Sequence, residues 1–152
     1  MTKEQLLEML EPLLKKLSDI DLEQANPRSA VEGMLPFESA EIQALCDAAT
    51  DAYREGWLTY KGDPELRFGR LSKDHCGFSV DAVYMERPGP RHRHPNGEID
   101  LCIAIDGEPT FDGQSQGWVV YPPDSVHVPT VRDGAMLVLY FLPGGAFEIV
   151  EE

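Results

Sequence analysis

Residues 90–127 read PRHRHPNGEIDLCIAIDGEPTFDGQSQGWVVYPPDSVH. Two apolar runs of strand length, IDLCIAI (99–105) and GWVVYP (117–122), sit in it between turn signals, and neither shows a helical period. Outward from this centre the same texture continues: LRFGRL (66–71) and FSVDAVYM (78–85) precede it, and VHVPTV (126–131) and AMLVLYFL (135–142) follow. Six or more short strands with Gly and Pro between them, and no helix among them, predict an antiparallel jelly roll or barrel over 57–152.

Before residue 57 the pattern is helical. Leu6, Leu7, Leu10, Leu13, Leu14 and Leu17 recur at three-and-four spacing behind a capping Thr2, and Pro12 is expected to kink or split that helix. Residues 21–38 (DLEQANPRSAVEGMLPFE) read as a connector holding one short helical turn. A second helix is expected to start near Ser39, to carry Ile42, Leu45, Cys46, Ala49 and Tyr53 on one face, and to stop at Gly56. Residues 1–56 have too little apolar material for a core of their own. They are expected to form a helical arm packed on the barrel, or on a partner subunit, within one structural domain.

The 152 residues carry 27 acidic and 13 basic side chains, a net charge of −14. The excess is spread along the chain: 12 acids against 5 bases in 1–56, and 15 against 8 in the remainder. A solvated acidic surface excludes broad nucleic-acid or anionic-membrane binding, which needs clustered Lys and Arg. An anionic ligand would have to meet a local cationic pocket. Cys46, Cys76 and Cys102 are odd in number and widely spaced, so no disulfide scaffold is expected. MTKEQLLEMLEPLL has no signal-peptide character, and no apolar run approaches a membrane span, so the expected compartment is the cytoplasm.

Three of the four histidines fall in the central stretch. On a strand His92 and His94 point to one face, roughly 6–7 Å apart, which suits two imidazoles converging on one ion. Pro95-Asn96-Gly97 reads as a turn that can bring Glu98 back to the same side. A lone HxH is most often a surface pair, but Glu98 at this offset and a downstream GxxxxPPxxxH ending in His127 favour a metal site. Imidazole-rich sites with one carboxylate accept Fe, Mn, Zn or Ni, so one divalent transition metal of open identity is expected.

HRHPNGE resembles the first motif of the cupin family, and GWVVYPPDSVH the second. That resemblance implies a cupin-type jelly roll and the metal ligands His92, His94, Glu98 and His127. Asp124 and Glu86 stand where glycines are usual, Gly107 comes two residues late, and no Asn follows His127. These departures touch turns, not ligands. The run from RHRHPNGE to LPGGAFE is also similar to the small bacterial 4-hydroxylaminobenzoate lyase family. This implies conversion of 4-hydroxylaminobenzoate to 3,4-dihydroxybenzoate (protocatechuate) with release of ammonia, a step of nitroaromatic degradation. In such a reaction His92, His94, Glu98 and His127 would be catalytic through the ion, Glu98 as ligand or general base.

A benzoate would want an arginine fork. Arg67 and Arg70 are the first candidates, with Arg87, Arg91 and Arg93 behind them, and Arg93 should point away from its flanking histidines. Tyr84, Tyr121 and Tyr140 are candidates for an aromatic pocket, Tyr140 being taken with the arginines as substrate-binding. His75 reads as a loop or surface residue, with Cys76 beside it no sign of a metal pair, Cys46 as helix packing, and Cys102 as barrel interior by its parity with Glu98 and Asp100. Other readings are a metal-dependent cupin dioxygenase or isomerase acting on a small aromatic acid, or a small-ligand-binding cupin without catalysis. Oxygen consumption coupled to turnover would mark the oxygenase. A homodimer is the expected assembly.

Overall fold

Thr2 opens the first helix with a reciprocal capping box: its hydroxyl accepts from Gln5 N–H and the Gln5 side chain accepts from Thr2 N–H. In the computed structural model, which describes residues 1–151, this helix (α1, Lys3–Leu17) runs through Pro12 as one element. The expected split does not occur. Leu6 and Leu10 before the proline and Leu13, Leu14 and Leu17 after it enter one core. Burying five leucines at roughly 2 kcal/mol each outweighs the ~3 kcal/mol an interior proline costs.

The connector holds more helix than expected, the two-turn α2 (Pro27–Met34), capped by the Asn26 side chain and started by Pro27. The third helix (α3, Ala40–Glu55) is capped by Ser39 and ends at Gly56 in the left-handed region, as its sequence indicates.

Nine strands follow among the described residues: β1 (Lys61–Asp63), β2 (Leu66–His75), β3 (Phe78–Met85), β4 (His92–His94), β5 (Glu98–Phe111), β6 (Gly117–Tyr121), β7 (Ser125–His127), β8 (Val131–Pro143) and β9 (Glu148–Ile149). They form two antiparallel sheets, β1-β2-β3-β8-β5-β6 and β7-β4-β9. The expected strand VHVPTV is broken. β7 stops at His127 and β8 starts at Val131, because Pro129 has no N–H to donate. The polar groups there go to loops: the Pro129 carbonyl accepts from Gly89 N–H, and Thr130 N–H donates to Asp112 Oδ1.

β5 explains why its sequence lacks alternation: both of its faces are buried. Ile99, Leu101 and Ile103 join the helical leucines in one core on the outer face of the large sheet. Glu98, Asp100 and Cys102 take the opposite parity, and Cys102 packs with Met85, Val119, Val138 and Tyr140 on the inner face. The helices thus cover the back of the large sheet, and the three-stranded sheet brings the histidines to its front. Among the described residues no helix is long and apolar enough to cross a membrane.

Candidate metal centre

His92 and His127 are direct partners in the β4–β7 ladder, which places both rings on one side of the small sheet with centroids 4.9 Å apart. His94, two residues on, shares that face and lies 4.4 Å from His92, centroid to centroid. The turn at 95–97 then reverses the chain, with Gly97 N–H donating to the His94 carbonyl and Gly97 at φ +92°. A side chain is strained in that conformation, so glycine is what lets Glu98 enter β5 facing the histidines.

One ligand atom from each of His92, His94, Glu98 and His127 lies within 4.8 Å of every other. Glu98 Oε1 is 2.8 Å from His94 Nε2 and 3.9 Å from His92 Nε2, and Oε2 is 2.9 Å from His127 Nε2. His94 Nε2, both ring nitrogens of His92 and Glu98 Oε1 are buried without a hydrogen bond of proper geometry. Buried polar atoms left in this state are costly unless something else satisfies them. A nitrogen-rich donor set with one carboxylate is what a divalent transition metal takes, so these residues fit such an ion.

The electrostatics agree. Burial alone would push the Glu98 carboxyl up, yet the hydrogen bond from His127 and the close approach of the His92 and His94 rings hold it far below the usual carboxylate range. Burial lowers His127, but its bonds to Asp112 and Glu98 win and raise it to about 9. Two carboxylates that sequence reading did not assign stand beside the cluster. Asp112 Oδ2 is 2.8 Å from His127 Nδ1 and accepts from the Tyr121 hydroxyl at 2.6 Å. Asp100 is wholly buried and neither of its oxygens has a hydrogen-bond partner; burial, then the neighbouring Glu98, push its carboxyl well above its ordinary value. Asp100 was within reach of a parity argument, two residues after Glu98. Asp112 was not, since only the folded turn carries it to His127.

Beside the cluster opens a cavity of about 380 Å³. His92 and His94 form part of its wall, and Phe68, Tyr140, Leu142 and Phe147 make it mostly apolar. Phe147 stands against both imidazoles, 5.0 Å from His92 and 5.9 Å from His94 between centroids. Arg70 lines the cavity and is gripped by Asp81, Nε to Oδ1 at 2.9 Å and Nη2 to Oδ2 at 3.2 Å, which leaves Nη1 unused. Arg67 does not reach it. One residue out of register with Arg70, it lies on the other face of β2 and donates to the Thr59 carbonyl.

Arg93 points outward to Asp124 and Glu148, and Arg87 pairs with Asp63 and Glu65 away from the cavity. Tyr140 borders the cavity with its hydroxyl on Met85 Sδ, whereas Tyr84 stacks on Tyr53 of α3 at 4.7 Å. His75 bonds the Leu7 carbonyl through Nε2, and Cys76 sits in the β2–β3 turn at φ +54°. Cys46 is buried on α3, where desolvation pushes its thiol up to about 12.

Residues 9–149 match the family described as PnbB: 4-hydroxylaminobenzoate lyase. A protein of that name from Pseudomonas putida is 31% identical over 130 residues, covering 71% of this chain and 73% of that one. Another from Nocardioides sp. (strain LMS-CY) is 33% identical over 109 residues, 62% of this chain and 64% of its own. Among solved structures, one of DMSP lyases aligns over 99% of this chain and 100% of its own, with 15% identity and a TM-score of 0.52. A cupin-like protein from Thermotoga maritima aligns over 62% and 86%, with 20% identity and a TM-score of 0.45. The fold is mostly antiparallel β with N-terminal helices. By its sequence match across nearly its whole length, the chain belongs to the 4-hydroxylaminobenzoate lyase family.

Proposed function

We propose that this protein converts 4-hydroxylaminobenzoate to 3,4-dihydroxybenzoate and ammonia, with one divalent transition metal held by His92, His94, Glu98 and His127. The observation that carries the reading is the convergence of four ligand atoms, on buried His92, His94 and Glu98 and half-buried His127, beside an apolar cavity that His92, His94 and Arg70 line. When bound, the ion supplies Lewis acidity and lowers the pKa of a coordinated water.

The chain's own residues supply the rest. The reaction takes up one water and needs no oxidant, because nitrogen leaves reduced as the ring gains its two oxygens. Phe68, Leu142 and Phe147 hold the aromatic ring and exclude bulk water, which strengthens every charge interaction in the cavity. Arg70 takes the carboxylate through the guanidinium edge that Asp81 leaves unused. Tyr140 borders the ring from the sheet side. Glu98 keeps its negative charge among three imidazoles, so it is available as a ligand at neutral pH.

Metal analysis combined with an ammonia-release assay on 4-hydroxylaminobenzoate, run with and without oxygen, tests the reading. One ammonia per protocatechuate, unchanged without oxygen and lost on metal removal, is expected. Full turnover by metal-stripped protein would overturn it, and oxygen uptake matched to turnover would replace it with a dioxygenase.

A further inference from the structure

We propose that Asp112 fixes which nitrogen of His127 keeps its proton when a metal ion binds, holding it on Nδ1 so that Nε2 is the one freed for the ion. This rests on the reading that the cluster takes a metal ion. Asp112 lies in the β5–β6 turn at φ +49°, and its backbone N–H donates to the Thr130 carbonyl at 2.9 Å. Thr130 N–H returns a bond to Oδ1 at 2.8 Å, while Oδ2 accepts from the Tyr121 hydroxyl at 2.6 Å and stands 2.8 Å from His127 Nδ1. The carboxylate is therefore gripped from two other sides and cannot turn away. It has no hydrogen to give, so Nδ1 must be the donor. The other nitrogen, Nε2, is 2.9 Å from the Glu98 carboxylate, so it donates there in the metal-free protein and is the one that gives up its proton to an incoming ion. His92 and His94 have no such outer partner, since both of their Nδ1 atoms are unbonded. Of the three rings, only His127 has its proton placed from outside the cluster. Outer partners of this kind orient metal-binding imidazoles and typically contribute 10–100-fold in affinity.

The geometry makes the isosteric variant the more harmful one. In Asp112→Asn the Thr130 N–H keeps the amide oxygen on its own side, which puts the NH2 group where Oδ2 stood. There it can donate to the Tyr121 oxygen and to Nδ1. A donor facing Nδ1 moves the imidazole proton to Nε2 and blocks that nitrogen as a ligand. Asp112→Ala imposes nothing, and His127 is free to take either tautomer.

Co(II) titration with chelator competition, on wild type, D112N and D112A, tests this. D112N is expected to weaken Co(II) binding about 100-fold and D112A about tenfold. The thermal stability of the metal-free proteins is expected to fall in the opposite order, because alanine abandons three hydrogen bonds and asparagine keeps at least two. A merely structural Asp112 would make alanine the worse variant in both readouts, and that result overturns the proposal. Nitrogen-15 NMR of Zn(II)-loaded wild type needs no variant: His127 should carry its proton on Nδ1, and a proton on Nε2 overturns the proposal. Wild type that takes up no Co(II) overturns the metal reading as well, whereas tight Co(II) binding left unchanged in D112N overturns the tautomer role alone.

Discussion

Leu22 and Gly97 are in contact across the turn that carries the metal-ligand candidates. A β-carbon on Gly97 would stand 2.6 Å from Leu22 Cδ1 and 3.0 Å from the Tyr121 carbonyl oxygen. The connector between α1 and α2 thus presses on the bend between His94 and Glu98. The N-terminal helices do more than cover a sheet.

Gly97→Ala meets this contact and the +92° φ together. The expected loss is roughly 2 kcal/mol, seen as a melting temperature lower by roughly 4–8 °C. Glu98 shifts with the turn, so metal affinity should fall about tenfold. Unchanged melting and unchanged metal uptake would show that the turn tolerates an L-residue and does not set the Glu98 position.

Arg67 and Arg70 separate cleanly as tests of substrate binding. Arg70 lines the cavity, and Arg67 lies on the opposite face of β2. Arg70→Ala should raise KM for 4-hydroxylaminobenzoate about 10–100-fold, with a far smaller effect on phenylhydroxylamine, which lacks the carboxylate. Arg67→Ala should leave the ratio of the two KM values unchanged. Equal effects of R70A on both substrates would remove Arg70 as the anchor.

The same pair shows where sequence reading stops. Alternation along LRFGRL says that Arg67 and Arg70 face opposite ways, but not which way the cavity lies. That depends on which face of β2 the helices cover. His92, His94 and Glu98 were legible because one short strand and a turn bring them together, whereas His127 was legible only through the motif that it ends. Asp112 was illegible because its reach to His127 depends on where β7 falls in the small sheet. That the helix is not split at Pro12 was hidden for a related reason. The local cost of an interior proline is readable, whereas the burial of leucines on both sides of it belongs to the whole core.

The metal-free protein should lose stability on the alkaline side. His127 is raised to about 9 in the fold from an ordinary 6.5. Its contribution is complete below pH 6.5 and disappears as pH rises through 9, a decline on the order of 3 kcal/mol. A metal-loaded sample should lack this slope, because a coordinated nitrogen carries no proton. Urea melts between pH 6 and 10, with and without Zn(II), check it. Parallel curves for the two samples would show that His127 is not the titrating group.

Asp100 carries the opposite sign. Its carboxyl is held well above the ordinary value by burial and by Glu98, and no donor compensates either oxygen. A carboxyl raised by folding costs nothing while it is protonated in both states. The cost begins as pH passes the ordinary carboxylate range near about 4 and grows until the folded group ionises. Asp100→Asn removes the titration and keeps the shape, so the metal-free variant should be more stable than wild type by about 1–3 kcal/mol at pH 8. That advantage should vanish near pH 4. Urea melts of both proteins at the two pH values decide the matter, and a constant difference would mean that Asp100 is matched to its surroundings. A gain in stability joined to a loss of turnover would place Asp100 among the groups a protein keeps at a cost because its site uses them.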